Sequence, residues 1–343
     1  MTVITLTVFG MAGMSPATAA ADTVIDTINV GITPLGVAIT PDGTRAYVVE
    51  FSDESVSVID TGTNTVVGAP IPVGQTPRAV AITPDGTRAY VTEIDDDSVA
   101  VINTGTNAVI DTVTVGDSPR AVAITPNGTR AYVTNNNANS VSVIDTGNNT
   151  IVGVPIPVGL GPLAVAVNPN GNRAYVANAG GSSVSVIDTG TDTIVGVPIP
   201  VGNNPSGLAV TPNGNRAYVT NFGDNTVSVI DTTTDTVVGT PIPVGDGPLG
   251  VAVTPNGTRA YVTNSEDHSV SVIDTATDTV IETIPVGQGP NVVAITPDGT
   301  RAYVTNFGDN TVSVIAIDQC LGSLCIDFGS LTGSGSGAGG VFS

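Results

Sequence analysis

The tripeptide Ala-Tyr-Val occurs seven times in this 343-residue chain, and its tyrosines (Tyr47, Tyr90, Tyr132, Tyr175, Tyr218, Tyr261 and Tyr303) are all the tyrosines there are. Successive copies lie 42 or 43 residues apart, and an arginine stands two residues before each. Length alone suggests about two domains, but a fixed internal period overrides that prior. A period of about 40–45 residues holding four strand-like segments is what one blade of a β-propeller requires.

One unit shows how the blade is written. Arg78–Thr83 is apolar and β-branched and reads as the innermost strand. Pro84-Asp85-Gly86 follows. The proline presets φ, the aspartate tolerates the turn and the glycine takes the positive-φ position. Arg88–Glu93, Ser98–Asn103 and Asn107–Val115 read as the second, third and outer strands. Side chains alternate between the two faces of a strand. Val80 and Ile82 therefore share one face and Ala79 and Ala81 the other, while Tyr90 points opposite to Ala89 and Val91. A bulky face can then stack on the next blade's small face. Each buried Val, Ile or Tyr contributes on the order of 1.5–3 kcal/mol before entropy. The 42/43 difference falls in the outer strand, where Val66–Val73 carries one more residue than Val109–Val115, and prolines that the latter lacks. An edge strand tolerates both.

The seventh unit has three strands and then stops. The missing fourth stands at the other end of the chain, where residues 22–31 match residues 278–287 at eight of ten positions. Third strands end in Asp60, Asn103, Asp145, Asp188, Asp231 and Asp274, turn-forming residues, but in Ala316 in the seventh unit. The expected fold is all-β: a seven-bladed β-propeller over residues 22–316, four antiparallel strands per blade, closed by the N-terminal strand completing the last blade.

Four units contain Tyr-Val-Thr-Asn, at 132–135, 218–221, 261–264 and 303–306. With the Pro-(Asp/Asn)-Gly turn before it and Ser-Val-Ile-Asp after, the chain resembles the YVTN-repeat β-propeller family over residues 22–316. It is similar to surface-layer propellers and, more distantly, to lactonase-like seven-bladed propellers. The resemblance implies a cell-envelope or secreted setting. It does not imply one activity, because function lies in sites rather than folds. No lactonase active-site motif can be carried over onto these residues.

Outside the repeat, residues 3–14 are apolar but too short to span a bilayer, and small residues 17–21 follow. Residues 1–21 thus resemble a secretory signal peptide whose positive n-region is missing, with the true start expected upstream. Residues 317–343 read as a Gly/Ser-rich flexible tail, in which Cys320 and Cys325 are expected to form a small-loop disulfide. The setting is therefore extracellular or cell envelope, with no transmembrane segment in the mature chain and a monomeric ring.

Thirty acidic residues against nine arginines leave a net charge of −21. No basic patch is available for nucleic acid, and the charge keeps a Gly/Ala/Val-rich chain soluble. Catalytic residue types are scarce. The single histidine, His268, reads as a solvated loop residue, and no cofactor or metal site is expected. Departures from the repeat carry more information. At the start of the inner strands the units hold Leu35, Arg78, Arg120, Leu163, Ser206, Leu249 and Asn291; at the end of the second strands, Glu50, Glu93, Asn135, Asn178, Asn221, Asn264 and Asn306. With Asp95, Asp96 and Asp97, the charged exceptions Glu50, Arg78, Glu93 and Arg120 make a mixed-charge sector at one mouth of the channel. Structurally, Arg78 and Glu93 would pair across the hairpin for about 0.2–1 kcal/mol. Functionally, the sector is a candidate recognition patch for a protein, glycan or envelope component. Three adjacent carboxylates resemble calcium ligands in type but lack the spacing of a known loop. The expected function is an exported binding or scaffold propeller acting through one rim. The alternative is a lactonase-like hydrolase using Arg78, Arg120, Glu50 and Glu93.

Overall fold

The computed structural model describes residues 21–318 and the backbone of Cys320–Leu321 and Leu324–Cys325. The signal-peptide reading of residues 1–21 falls, but for its last residue, outside the described residues. Cys320–Leu321 and Leu324–Cys325 pair as a short antiparallel hairpin with Cys320 opposite Cys325. The side chains of these residues, and so the disulfide expected from sequence, lie outside what is described.

Thr23–Ile317 forms a compact unit built, among the described residues, from seven sheets of four strand positions each. In the second blade these are Pro77–Ile82, Arg88–Glu93, Ser98–Asn103 and Ala108–Thr114, within a residue of the sequence reading. The seventh blade runs from Pro290–Ile295 through Arg301–Asn306 to Thr311–Ala316, and its outer strand is Thr23–Asn29. Register pairs Thr23 with Ala316 and Asn29 with Thr311, with a bulge between Val24 and Asp26. Closure from the chain's other end is therefore as expected.

The extra residue of the long units has a sharper effect than a bulge. In blades one, three and four it breaks the outer strand into two short pieces, such as Thr65–Val66 and Ile71–Pro72. Gly68, Gly153 and Gly196 take positive φ at the break. The fifth blade keeps one strand, Thr236–Pro243, across the same feature.

Seven apolar clusters fill the seven gaps between blades. In one, Tyr47, Val49, Val56, Val58 and Ile71 of the first blade meet Val80, Ala89, Val91, Ala100 and Ile102 of the second. The closing gap has the same composition: Ile28, Tyr303, Val312 and Val314 meet Val37, Ala46, Val48 and Ile59. A large tyrosine-bearing face thus packs on a small alanine-bearing face at each seam, as the alternation of the second strand requires.

The polar residues of the second strand complete each seam. The phenol of Tyr47 donates to Asn107 Oδ1 of the next blade at 2.8 Å. Tyr90, Tyr132, Tyr175 and Tyr218 reach Asn149, Asp192, Asp235 and Asp278 in the same way, at 2.6 to 3.0 Å. Tyr303 closes the ring by donating to Asn64 Oδ1 at 2.8 Å. Each acceptor sits at positive φ in the turn after a third strand, a conformation Asn and Asp tolerate best among non-glycine residues. The repeated arginines reach the same turns: Arg45 Nη1 donates to Thr104 O at 3.1 Å, Arg301 Nη1 to Thr61 O at 2.6 Å, and Arg216 pairs with Asp278 at 3.0 Å.

Thr92 has a matching role nearer the axis. Its Oγ1 accepts from Ala79 N at 3.0 Å and donates to Arg120 O of the next blade at 3.4 Å. Thr263 and Thr305 reach Asn291 O and Leu35 O, each at 2.7 Å. Hence the tyrosines of the repeated strand, and its threonines at Thr92, Thr263 and Thr305, reach into the neighbouring blade.

Two outcomes are expected. Removing residues 22–31 exposes the edge of Thr311–Ala316 and loses the burial of Ile28, on the order of 3 kcal/mol or more when its partly buried neighbours Val24 and Val30 are included. Calorimetry should show a markedly lower melting temperature; equal melting would mean that the strand contributes nothing to closure. Secondly, burial above all else raises the pKa of Tyr47, Tyr90, Tyr132, Tyr175, Tyr218 and Tyr303 above the ordinary 10.0. Their contribution to stability is complete below pH 10 and is lost as pH rises beyond it, because the unfolded phenols then ionise while the folded ones do not. Phenolate absorbance should therefore rise together with cooperative unfolding on the alkaline side. Ionisation of these tyrosines near pH 10 with the sheet signal intact would contradict the buried seams.

Candidate functional site

Inner strands converge on the axis, so the residue three places into each must be small: Gly36, Ala79, Ala121, Ala164, Gly207 and Gly250, with Val292 the exception. A Cβ on Gly36 would sit 2.7 Å from Arg78 O, and one on Gly250 2.6 Å from Asn291 O. That close approach, rather than turn geometry, accounts for these glycines. One place earlier, side chains surround the mouth of the channel. Arg78, Arg120, Leu163, Ser206, Leu249 and Asn291 line a cavity of ≈ 200 Å³ there.

The two arginines stand on adjacent blades. Among the described residues neither has an ion-pair partner, and Arg120 Nε is buried without a hydrogen-bond partner. Burial, and after it the charge of Arg120, lower the pKa of Arg78 to about 10. Burial also lowers Arg120, while the nearby Asp95 carboxylate acts the other way. Both remain charged at neutral pH. Of the ring's uncharged polar members, Ser206 is occupied: its Oγ donates to Pro248 O at 2.8 Å.

The acidic residues singled out from sequence are placed differently. Glu50 and Glu93 are buried. Glu93 Oε1 accepts from Gly74 N at 2.7 Å and Oε2 from Ser98 Oγ. Glu50 does the same with Gly31 N at 2.7 Å and Ser55 Oγ at 2.5 Å. Asn135 holds the equivalent loop through Gly116 N at 3.2 Å and donates to Ser140 and Ser142. Glu50, Glu93 and Asn135 therefore latch the loops leading into the first three blades, whereas Oδ1 of Asn178, Asn221, Asn264 and Asn306 is buried without a partner among the described residues. No ion pair joins Arg78 to Glu93 among the described residues. Pro77, not Arg78, stands opposite Glu93 in the register.

Asp96 and Asp97 are also engaged with backbone. Asp96 Oδ2 accepts from Gln75 N at 2.7 Å, and Asp97 Oδ1 from Ser118 N at 2.8 Å. Asp95 is exposed. The sector thus divides: Arg78 and Arg120 come together in the channel, while Glu50, Glu93, Asp96 and Asp97 hold loops. His268 belongs to the second group. Its Nδ1 accepts from Gly289 N at 3.2 Å, as Asp97 and Asn225 accept from the corresponding amides of their neighbours. The aligned repeat position was the available signal for that role, and residue type concealed it.

Comparison with known proteins bears on the fold. The sequence model of the family described as lactonase, seven-bladed β-propeller, matches residues 27–152. A solved structure of hydrazine synthase from Kuenenia stuttgartiensis is similar at 27% identity over 89% of this chain and 99% of that one, with a TM-score of 0.77. No curated protein matches the chain.

Gly74→Ala tests the latch. Its Cβ would press first on Asp96 Oδ2 and then on Glu93 Cδ at 2.7 Å, so both carboxylates that hold the loop have to shift. A loss of about 1–3 kcal/mol in denaturant unfolding is expected; unchanged stability would show that the loop yields freely.

Proposed function

We propose that the chain is an exported or cell-surface propeller of the YVTN-repeat, surface-layer-like kind, acting as a binding or scaffold module through the rim at the arginine end of its channel. One observation carries this reading. Seven of the nine arginines belong to the repeated second strand, and the two that depart from the repeat share one position at the channel mouth. The repeat explains the first seven as structure; it leaves the last two to a partner.

The hydrolase alternative is supported by the lactonase family match over residues 27–152 and by an arginine-lined cavity. Against it stands the state of the carboxylates. A general base must lie within hydrogen-bond reach of the proton it takes. Glu50 and Glu93 instead have both oxygens bonded to backbone amide and serine hydroxyl, which favours the binding module. The envelope setting rests on the apolar and small-residue pattern of residues 3–21. Among the described residues no helix is long and apolar enough to cross a membrane.

A lactone-hydrolysis assay with the intact chain and an Arg78→Leu/Arg120→Leu variant separates the readings. Hydrolysis at background level in both is expected. Turnover by the intact chain that the variant loses would establish the hydrolase instead.

A further inference from the structure

We propose that Arg78 and Arg120 form a carboxylate-binding site in the channel mouth, suited to a single carboxylate on a small apolar body. The inference deepens the binding reading above by naming the chemistry of what is bound.

Three observations support it. First, the chain has 30 acidic residues for nine arginines, yet these two guanidiniums stand on neighbouring blades without an ion pair among the described residues. Glu93 is tied to Gly74 N and Ser98, and the exposed Asp95, whose charge acts on Arg120, makes no ion pair with it. Two like charges in a shared cavity repel, and the lowered pKa of Arg78 records that repulsion alongside burial. A single delocalised anion between them removes the repulsion and supplies acceptors to both. It also supplies one for Arg120 Nε, which is buried without a partner.

Second, the guanidinium group presents a planar fork of donors that fits a carboxylate bidentately. Third, the remaining walls select the body of the ligand. Leu163, Leu208 and Leu249 supply apolar surface, and Asn291 is the one amide on the wall. The cavity is ≈ 200 Å³, below the usual range of drug-sized ligand pockets, so the bound part is small. A net charge of −21 disfavours multiply charged anions over a monocarboxylate.

The carboxylate can come from a free metabolite or from an acidic side chain of a partner. Both are tested by calorimetric titration of the full chain with butyrate, with butyramide, with inorganic phosphate, and with blocked Gly-Glu-Gly and Gly-Gln-Gly peptides. Binding of butyrate or of the Glu peptide is expected, without binding of butyramide or of the Gln peptide. Butyrate binding would identify a free carboxylate as the source, and Glu-peptide binding a partner's side chain. Arg78→Leu/Arg120→Leu should weaken binding about tenfold or more, the loss expected for charge-assisted hydrogen bonds.

Leucine already occupies this position in blades one, four and six, so the variant should fold, and its melting temperature verifies that. No carboxylate binding, binding undiminished in the folded variant, or phosphate bound as tightly as butyrate would overturn the proposal. Such a failure leaves the rim-binding function standing, since that reading falls on lactone turnover instead.

Discussion

Each seam of this ring depends on one arrangement: a second strand whose large side chains lean into the following blade. Tyrosine fills the gap and hands its hydroxyl to an Asn or Asp at positive φ beyond it. Threonine joins the bulged inner strand to the next inner strand's carbonyl. Arginine reaches the turn from outside. A blade is therefore incomplete alone, as expected where each repeat buries its face only against neighbours. The seventh seam repeats the tyrosine and arginine contacts of the first and adds Thr305 to Leu35 O where the first blade carries Val49, so the ring closes with no special device except the displaced outer strand.

That arrangement also explains why conserved-looking residue types here are poor guides to activity. Arg, Tyr, Thr and Asn would each attract attention in an enzyme cleft. In this fold all four have structural partners, and only positions that break the pattern carry information about a ligand. Glu50 and Glu93 break it in type but hold their loops as Asn135 holds its own. Arg78 and Arg120 break it in type at a place where the other blades hold Leu, Ser or Asn, and the repeat has no structural use for their charge.

The fold was legible in the sequence because the period, the turn tripeptide and the strand alternation all point the same way. Residues 22–31 could be assigned to the last blade because they copy residues 278–287. The split outer strands of blades one, three and four were less legible. Whether Gly68 breaks a strand while Gly239 lies within one depends on local pairing, and the sequence motif is nearly the same in both. The candidate site was half legible. Sequence placed Arg78, Glu93 and Arg120 at one mouth, but strand direction alone does not say that Glu93 turns to Gly74 N while Arg78 turns to the axis. Only the close approach at Gly74 separates the two.

The donated outer strand has a consequence for molecules in company. Its counterpart at residues 278–287 is nearly identical, and the edge of Thr311–Ala316 on which it lies recognises backbone and a few aliphatic side chains rather than a unique surface. A neighbouring copy's head fits that edge as well as the chain's own does. Exchange of this segment between copies conserves every contact in the seam, so the choice between solitary and interlinked wheels falls to dilution and linker length rather than to contact energy.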